Sequence, residues 1–323
     1  MGHGKGSEGQ GNASEDHGEV SEEQGNVNKE PRPKRRRVLS KQPTMDTDTV
    51  TPEEDWFHAS QHRDELLEFV RTSAPERDLH MVDLFSASGV AAATFKETGY
   101  ESKAIDIKLD QGHDITSRAG FFTIFMACLS IKARGLLLAG PPCNLYIFLY
   151  HKRSLANNFL GDTSNAKVRL SNLIVANMSL ILGACIPRGV KILLEQPMNS
   201  VMYQHPSIVA LTREQQGEAP VWSSISTCMG HFNHDMPKPT KLLSNMKSAV
   251  LVTRTMNLKK WKKERSELHP SGQPPARYTR MTPAGPAGGK DLHRSATYTN
   301  EFCMHVLIIW EKEYLREALN SPA

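Results

Sequence analysis

The chain has 323 residues, 39% of them hydrophobic, with 39 Lys and Arg against 35 Asp and Glu and a formal charge of +4. Its five cysteines stand apart with no CxxC pair, which argues against a disulfide scaffold or a structural zinc site and fits a reducing compartment. The most apolar window, GFFTIFMACLSIKARGLLLAG, is broken by Lys132 and Arg134, so it reads as a helix followed by a strand and not as a membrane span.

Residues 1–54 are rich in Gly, Ser, Glu, Asn and Gln and nearly devoid of long apolar side chains. Such a composition cannot offset its ordering entropy, and a disordered tail is expected. The tail holds 8 Lys/Arg and 11 Asp/Glu, which leaves 31 against 24 for the remainder. The folded part is therefore basic, compatible with a polyanionic partner. Within the tail, PRPKRRRVLSKQP places Lys34, Arg35, Arg36 and Arg37 in a row. This reads as a nuclear-import cluster for an importin-type carrier, or as a basic arm that adds phosphate affinity.

From residue 78 strands and helices alternate. DLHMVDLF (78–85) is an apolar strand, SASG the turn after it, and VAAATFKETG a helix capped by Gly99. ESKAIDI is a second strand ending at Asp106, 117–134 a helix, LLLAG a strand, 166–186 a helix, and VKILLEQP (190–197) a strand that stops at a proline. Alternation of this kind predicts an α/β fold, a mainly parallel sheet with helices on both faces, over a core spanning 55–211. Ligands of such sheets bind at the C-terminal ends of the strands, and the chemically distinctive residues fall there. Gly89, with small neighbours Ser86, Ala87 and Ser88, lets a ligand approach the backbone. Asp106, about 20 residues further on, suits ribose hydroxyls. Cys143 follows a rigid Pro141–Pro142 corner, and Glu195 ends the strand at 190–197. Taken singly, Cys143 is a nucleophile or an inert buried thiol, Glu195 an acid or a plain strand-end carboxylate, and Asp114 a ligand contact or a helix N-cap.

Residues 212–290 read as a smaller, irregular target-side region. LKKWKKER, with Lys259, Lys260 and Trp261, is a phosphate-and-stacking surface or a solvated helix face. PSGQPPARYTRMTPAGPAGGK (270–290) is a loop by its Pro and Gly content. In 291–323, Phe302, His305, Val306, Ile309, Trp310 and Leu315 recur at helical spacing and predict a helix that packs back on the core.

DLFSASGVAAATF, AIDI, HDIT, AGPPC and LLEQP occur in that order, and over roughly 78–200 the chain resembles the catalytic core of the DNA cytosine-5 methyltransferases. The resemblance implies a Rossmann-like fold, S-adenosylmethionine as cofactor, DNA or RNA as partner and a nuclear location. It implies Phe85, Ser86 and Gly89 beside the cofactor, Asp106 on its ribose and Asp114 on its adenine. It also implies Cys143, held out by Pro142, as the nucleophile on carbon 6 of cytosine and Glu195 as the acid at ring nitrogen 3. Residues 144–165 become a mobile loop over a flipped base, with His151, Lys152 and Arg153 on phosphates. The chain departs from the family at Ala87, where glycine is preferred. It lacks the Gln-Arg-Arg motif too, whose nearest counterpart is CMGHFNHDMPKPTKLLSN with Lys238 and Lys241. No metal is implied. Two other readings stay open: an inactive relative that still binds nucleic acid or cofactor, and an amino-methyltransferase, although those enzymes follow the proline corner with an aromatic residue.

Overall fold

The computed structural model describes residues 51–73, 75–147, 152–213, 222–254, 257, 279–282, 285–288 and 296–319. Six strands form one sheet: β1 (Leu79–Leu84), β2 (Ser102–Ile105), β3 (Ile131–Ala139), β4 (Lys191–Pro197), β5 (Ser223–Cys228) and β6 (Pro239–Ser244), in the order β2-β1-β3-β4-β6-β5. The first four run parallel. β6 runs antiparallel to both β4 and β5, so the sheet is mixed.

The apolar runs in β3 and β4 exist because both faces of these strands are covered. Side chains alternate across a strand, and the two sets enter different clusters. Met81, Leu136, Leu138 and Leu193 pack with Phe95 of α2 (Val90–Glu97) and with Phe302 and Trp310 of α6 (Asn300–Leu319). Val82, Leu137, Ala139, Ile192 and Leu194 pack with Phe121 and Phe125 of α3 (Arg118–Leu129) and Met178 and Leu182 of α4 (Ala166–Cys185). α1 (Arg63–Ser73) and α5 (Pro206–Arg213) join the second cluster through Leu66, Ile208 and Leu211. By length and composition α4 is apolar enough to cross a membrane, and 61% of that stretch is buried in this core.

Several expectations are corrected. The helix expected over 117–134 ends at Leu129, because Ile131 already pairs with Leu79 and β3 opens there, five residues ahead of LLLAG. A bulge at this point accommodates Arg134 at φ 68°. β5 and β6, expected in a separate target-side region, belong to the main sheet. Their polar, small-residue sequences SSISTC and PTKLLS hid this, since only one residue in two needs to be apolar. Thr279–Thr282 and Gly285–Gly288 pair as an antiparallel hairpin, β7 and β8, inside the segment expected to be a loop; backbone pairing alone suffices for a two-stranded ribbon. The C-terminal helix forms, but its buried stripe is Phe302, Cys303, Val306, Leu307, Ile309, Trp310 and Glu313. His305 is only half-buried and Leu315 is 50% exposed. Thr51 and Glu53, placed in the tail by composition, already contact the fold through Asp114 and Arg169.

His205 closes the N-terminal end of α5: its Nδ1 accepts the Ser207 N–H at 3.3 Å, and its Nε2 is buried without a partner. Burial, aided by the charge of Arg153, lowers its pKa from 6.5 to about 4. The folded value lies below the unfolded one, so this contribution is complete above pH 6.5 and is lost as pH falls towards 4. At pH 5 the loss amounts to about 2 kcal/mol. His205→Asn keeps an acceptor for Ser207 and removes the titration. Its urea midpoint should therefore fall less between pH 7 and pH 5 than that of the unmodified protein.

Candidate active site

The end of β1 runs into the turn Phe85–Gly89, which needs positive φ at three places: Phe85 (62°), Ala87 (52°) and Gly89 (72°). Gly89 is required twice over, since a Cβ there would also lie 3.2 Å from the Ala104 Cβ. Phe85 and Ala87 accept the left-handed region at a cost of about 1–2 kcal/mol each. What holds them is Asp106, whose Oδ2 accepts the Ala87 N–H at 2.9 Å while Oδ1 accepts that of Lys108 at 2.8 Å. The Phe85 and Ser86 N–H groups donate to the Ile105 carbonyl. The Ser86 hydroxyl is buried without a partner.

Beneath this turn lies a group that motif reading missed. Asp83 is fully buried on β1, and neither carboxyl oxygen has a hydrogen-bonding partner. Burial pushes its pKa to about 7, and the charge of Asp106 adds to this. The N–H groups of Ala92 and Ala91, at the start of α2, oppose it without completing hydrogen bonds. The available signal was a single acid inside the apolar run MVDLF.

At the end of β3 the Gly-Pro-Pro-Cys corner is fastened from the neighbouring strand. Gln196, fully buried, donates Nε2 to the Pro141 carbonyl at 2.7 Å, and its own oxygen accepts from Ser200 at 2.8 Å. Pro142 is exposed, and Cys143 follows it half-buried, its carbonyl accepting the Tyr146 N–H. Gly140 leaves no room for a side chain: a Cβ would stand 2.5 Å from the Tyr298 hydroxyl and 3.7 Å from Glu195 Oε2.

Glu195 is 6% exposed and held at both oxygens. Lys238 Nζ lies 3.4 Å from Oε1 as an ion pair, outside hydrogen-bond geometry, and the Tyr298 hydroxyl donates to Oε2 over 3.4 Å. Tyr298 is kept protonated, its pKa pushed well up by burial and then by the charges of Glu195 and Asp83. Lys238 sits at φ 37° and faces the Tyr298 ring at 5.7 Å. These charges reach Cys143. Burial raises its thiol pKa, Glu195 raises it further, and the Lys238 ammonium draws it down. The corner cysteine, the strand-end glutamate and one lysine of KPTK therefore share a site. Gln196, Tyr298 and Asp83 complete it.

Other expected residues go elsewhere. Lys241 lies on β6 with its Nζ 5.0 Å over the Tyr203 ring, while Lys238 alone of the pair meets Glu195. Asp114 is neither exposed nor the cap of α3, which is Ser117. Its Oδ1 accepts from the Thr116 N–H and hydroxyl, and its Oδ2 accepts from the Thr51 hydroxyl. Arg153, expected on phosphate, is 6% exposed and turned inward. Its guanidinium donates to the Leu145 and Phe159 carbonyls, Asn172 and Ser171 at 2.7–2.8 Å and stacks 3.9 Å over Tyr146. A planar five-donor fork suits a staple of several backbone carbonyls as well as it suits phosphate, and composition could not separate the two. Lys152 pairs at 3.4 Å with Asp162 on the surface, where solvent screens the contact. His151, Lys259, Lys260, Trp261 and Lys34 to Arg37 lie outside the described residues. Among the described residues no His, Cys, Asp and Glu group could hold a metal ion.

Asp83 and Ala87 make the turn testable. The folded pKa of Asp83 lies above its unfolded value of 3.8. The associated stability is thus present at low pH and lost as pH rises through 7, by about 3 kcal/mol between pH 5 and pH 8. Asp83→Asn should abolish that slope in denaturant titrations across the range. Ala87→Gly should raise stability by up to about 1 kcal/mol, the relieved strain exceeding the added chain entropy, as read from the urea midpoint. No protein-family model matches this chain and no curated protein matches it.

Proposed function

We propose that the protein is an S-adenosylmethionine-dependent methyltransferase acting on carbon 5 of cytosine in DNA or RNA, on a Rossmann-like parallel half-sheet. The observation that carries this reading is the Gly-Pro-Pro-Cys corner fastened beside Glu195: Gln196 holds the Pro141 carbonyl at 2.7 Å, a Cβ on Gly140 would lie 3.7 Å from Glu195 Oε2, and Lys238 pairs with Glu195 at 3.4 Å.

The donor set at the first turn fits the cofactor. The Asp106 carboxylate and the unpartnered Ser86 hydroxyl lie at the turn, and Asp83, its pKa lifted to about 7, lies buried beneath it. Acceptors of this kind suit ribose hydroxyls and a cationic ligand. Each Asp106 oxygen has spent only one lone pair on the backbone. When bound, S-adenosylmethionine supplies an electrophilic methyl group. The chain's own part is to activate the ring. The Cys143 sulfur adds to carbon 6, and the electron pair released gathers at carbon 5. Glu195 takes up a proton from water as the base enters and gives it to nitrogen 3, drawing electrons into the ring, while Tyr298 and Lys238 hold the carboxylate that remains. After alkylation, loss of the carbon 5 proton to a base expels the sulfur and restores the aromatic ring. The target base has to leave its stack to reach this corner. Lys238 favours the thiolate that the reaction needs, opposing burial. The cluster Lys34 to Arg37 supports a nuclear location.

A second reading, an inactive relative that binds nucleic acid or cofactor, draws support from the raised Cys143 thiol and the strained Ala87. Trapping separates the two. Incubated with labelled S-adenosylmethionine and 5-fluorocytosine in duplex DNA, single-stranded DNA or transfer RNA, the protein should form a denaturant-resistant adduct on at least one of them. Cys143→Ala should lose the adduct and retain cofactor affinity within about threefold, since the sulfur lies outside the cofactor turn. An equal yield of adduct from that variant would refute the assignment.

A further inference from the structure

Asp114, the carboxylate that the resemblance to the cytosine-5 methyltransferases puts on the cofactor's adenine, is covered by the segment that leads into the fold. Thr51 donates its hydroxyl to Asp114 Oδ2. Trp56 Nε1 donates back to the Thr51 carbonyl at 2.8 Å, and the Phe57 N–H donates to the Thr116 carbonyl at 2.7 Å. Glu53 takes Nε and Nη2 of Arg169 at 2.5 and 2.6 Å, while Nη1 of the same guanidinium serves the carbonyls of Thr163 and Ser164. Asp114 Oδ1 is already used by Thr116. Both oxygens are thus engaged while the strap is in place.

The strap is held unevenly. From Phe57 onward it is anchored by burial and by Asn177, which is 1% exposed, accepts the Ala59 N–H and donates to the Phe57 and Ile115 carbonyls. From Thr51 to Asp55 no side chain is buried, and the contacts are polar. The sequence of this weaker part is Thr51-Pro52-Glu53-Glu54-Asp55, with Pro52 and the three acids exposed. A hydroxyl residue followed by proline is the feature that proline-directed kinases recognise.

We propose that Thr51 is a phosphorylation site and that its phosphate lifts the strap from Asp114, uncovering the adenine end of the cofactor site. This rests on the methyltransferase reading above. In the modifying step, Thr51 Oγ attacks the γ-phosphorus of ATP bound to the kinase. The Oγ–P bond forms, the bond from that phosphorus to the β-phosphate oxygen breaks, ADP leaves, and the hydroxyl proton passes to the kinase's base. The modified side chain has no hydroxyl proton to give Asp114 and carries about −1.5 to −2 charges beside a carboxylate. Its neighbours Glu53, Glu54 and Asp55 add repulsion. Arg169, the strap's own cation, is already bound on every face that its contacts describe, so it does not offer the phosphate a ready partner. Release also frees one buried acceptor on Asp114 for an exocyclic amine.

The test uses the full-length protein, a purified proline-directed Ser/Thr kinase and magnesium-ATP, each sample compared with itself before and after ATP. Mass spectrometry should place one phosphate on Thr51, and Thr51→Val should take none there. Hydrogen exchange at the Asp55 and Trp56 amides, which are bonded to the Pro52 and Glu53 carbonyls, should rise about tenfold or more on modification, with the interior of α4 unchanged, and S-adenosylmethionine affinity by calorimetry should rise by about tenfold or more. Thr51→Glu should move both readings in the same direction without ATP. Absence of phosphate on Thr51, or exchange that stays level or falls, overturns the switch. Faster exchange with equal cofactor affinity in both forms overturns the competition for Asp114. Faster exchange with no cofactor binding in either form overturns the proposal through the methyltransferase reading beneath it, and the two failures are thereby told apart.

Discussion

Strands β1, β3 and β4 are buried on both faces, and this constraint organises the molecule. Leu136 to Ala139 and Ile192 to Leu194 have no exposed surface, so polar side chains enter these strands only under strong local compensation or at their ends. The alternation that sends Met81, Leu138 and Leu193 towards α2 and α6 also sends Asp83, Gly140 and Glu195 to that side at the C-terminal edge. Parallel register aligns them: Leu84 opposes Ala139 and Ala139 opposes Leu194, so Gly140 and Glu195 are the next neighbours out. Tyr298, just ahead of α6, then fills the space above Gly140 and meets Glu195. The site is a consequence of sheet geometry combined with the return of the C-terminal helix.

Its electrostatics follow from the same burial. Two acids, Asp83 and Glu195, sit where water is largely excluded, and the fold treats them differently. Glu195 receives an ammonium and a phenol. Asp83 receives neither and has its pKa lifted to about 7. Removing the cation paired with a buried carboxylate is costly, about 3–5 kcal/mol, which makes Lys238 as structural as it is chemical. The strain at Lys238, Phe85 and Ala87 gathers round this edge, where surrounding contacts over-determine the backbone.

Away from that edge, charged side chains whose residue type suits phosphate turn out to hold the protein together. Arg153 binds the Leu145 and Phe159 carbonyls to α4, and Arg169 binds the entry strap to the start of the same helix. The strap and the 152–165 segment are thus tied to one element. Asp114 and Thr51 meet where the strap's polar half begins, which places the most easily released contacts over a residue that the proposed chemistry would use.

The amino-acid sequence by itself determined the strand–helix alternation from 78 to 197, the C-terminal helix, and the residues standing at strand ends: Gly89, Asp106, Cys143 and Glu195. These depend on apolar runs, glycine and proline, whose effects are local to a few residues. The tertiary structure alone decided that Tyr298 meets Glu195 across 103 positions, that Thr51 covers Asp114 across 63, that Arg153 points inward, and that β5 and β6 extend the main sheet. Each of these is a pairing between distant segments, and a polar side chain carries no sequence mark of which partner will satisfy it once water is removed.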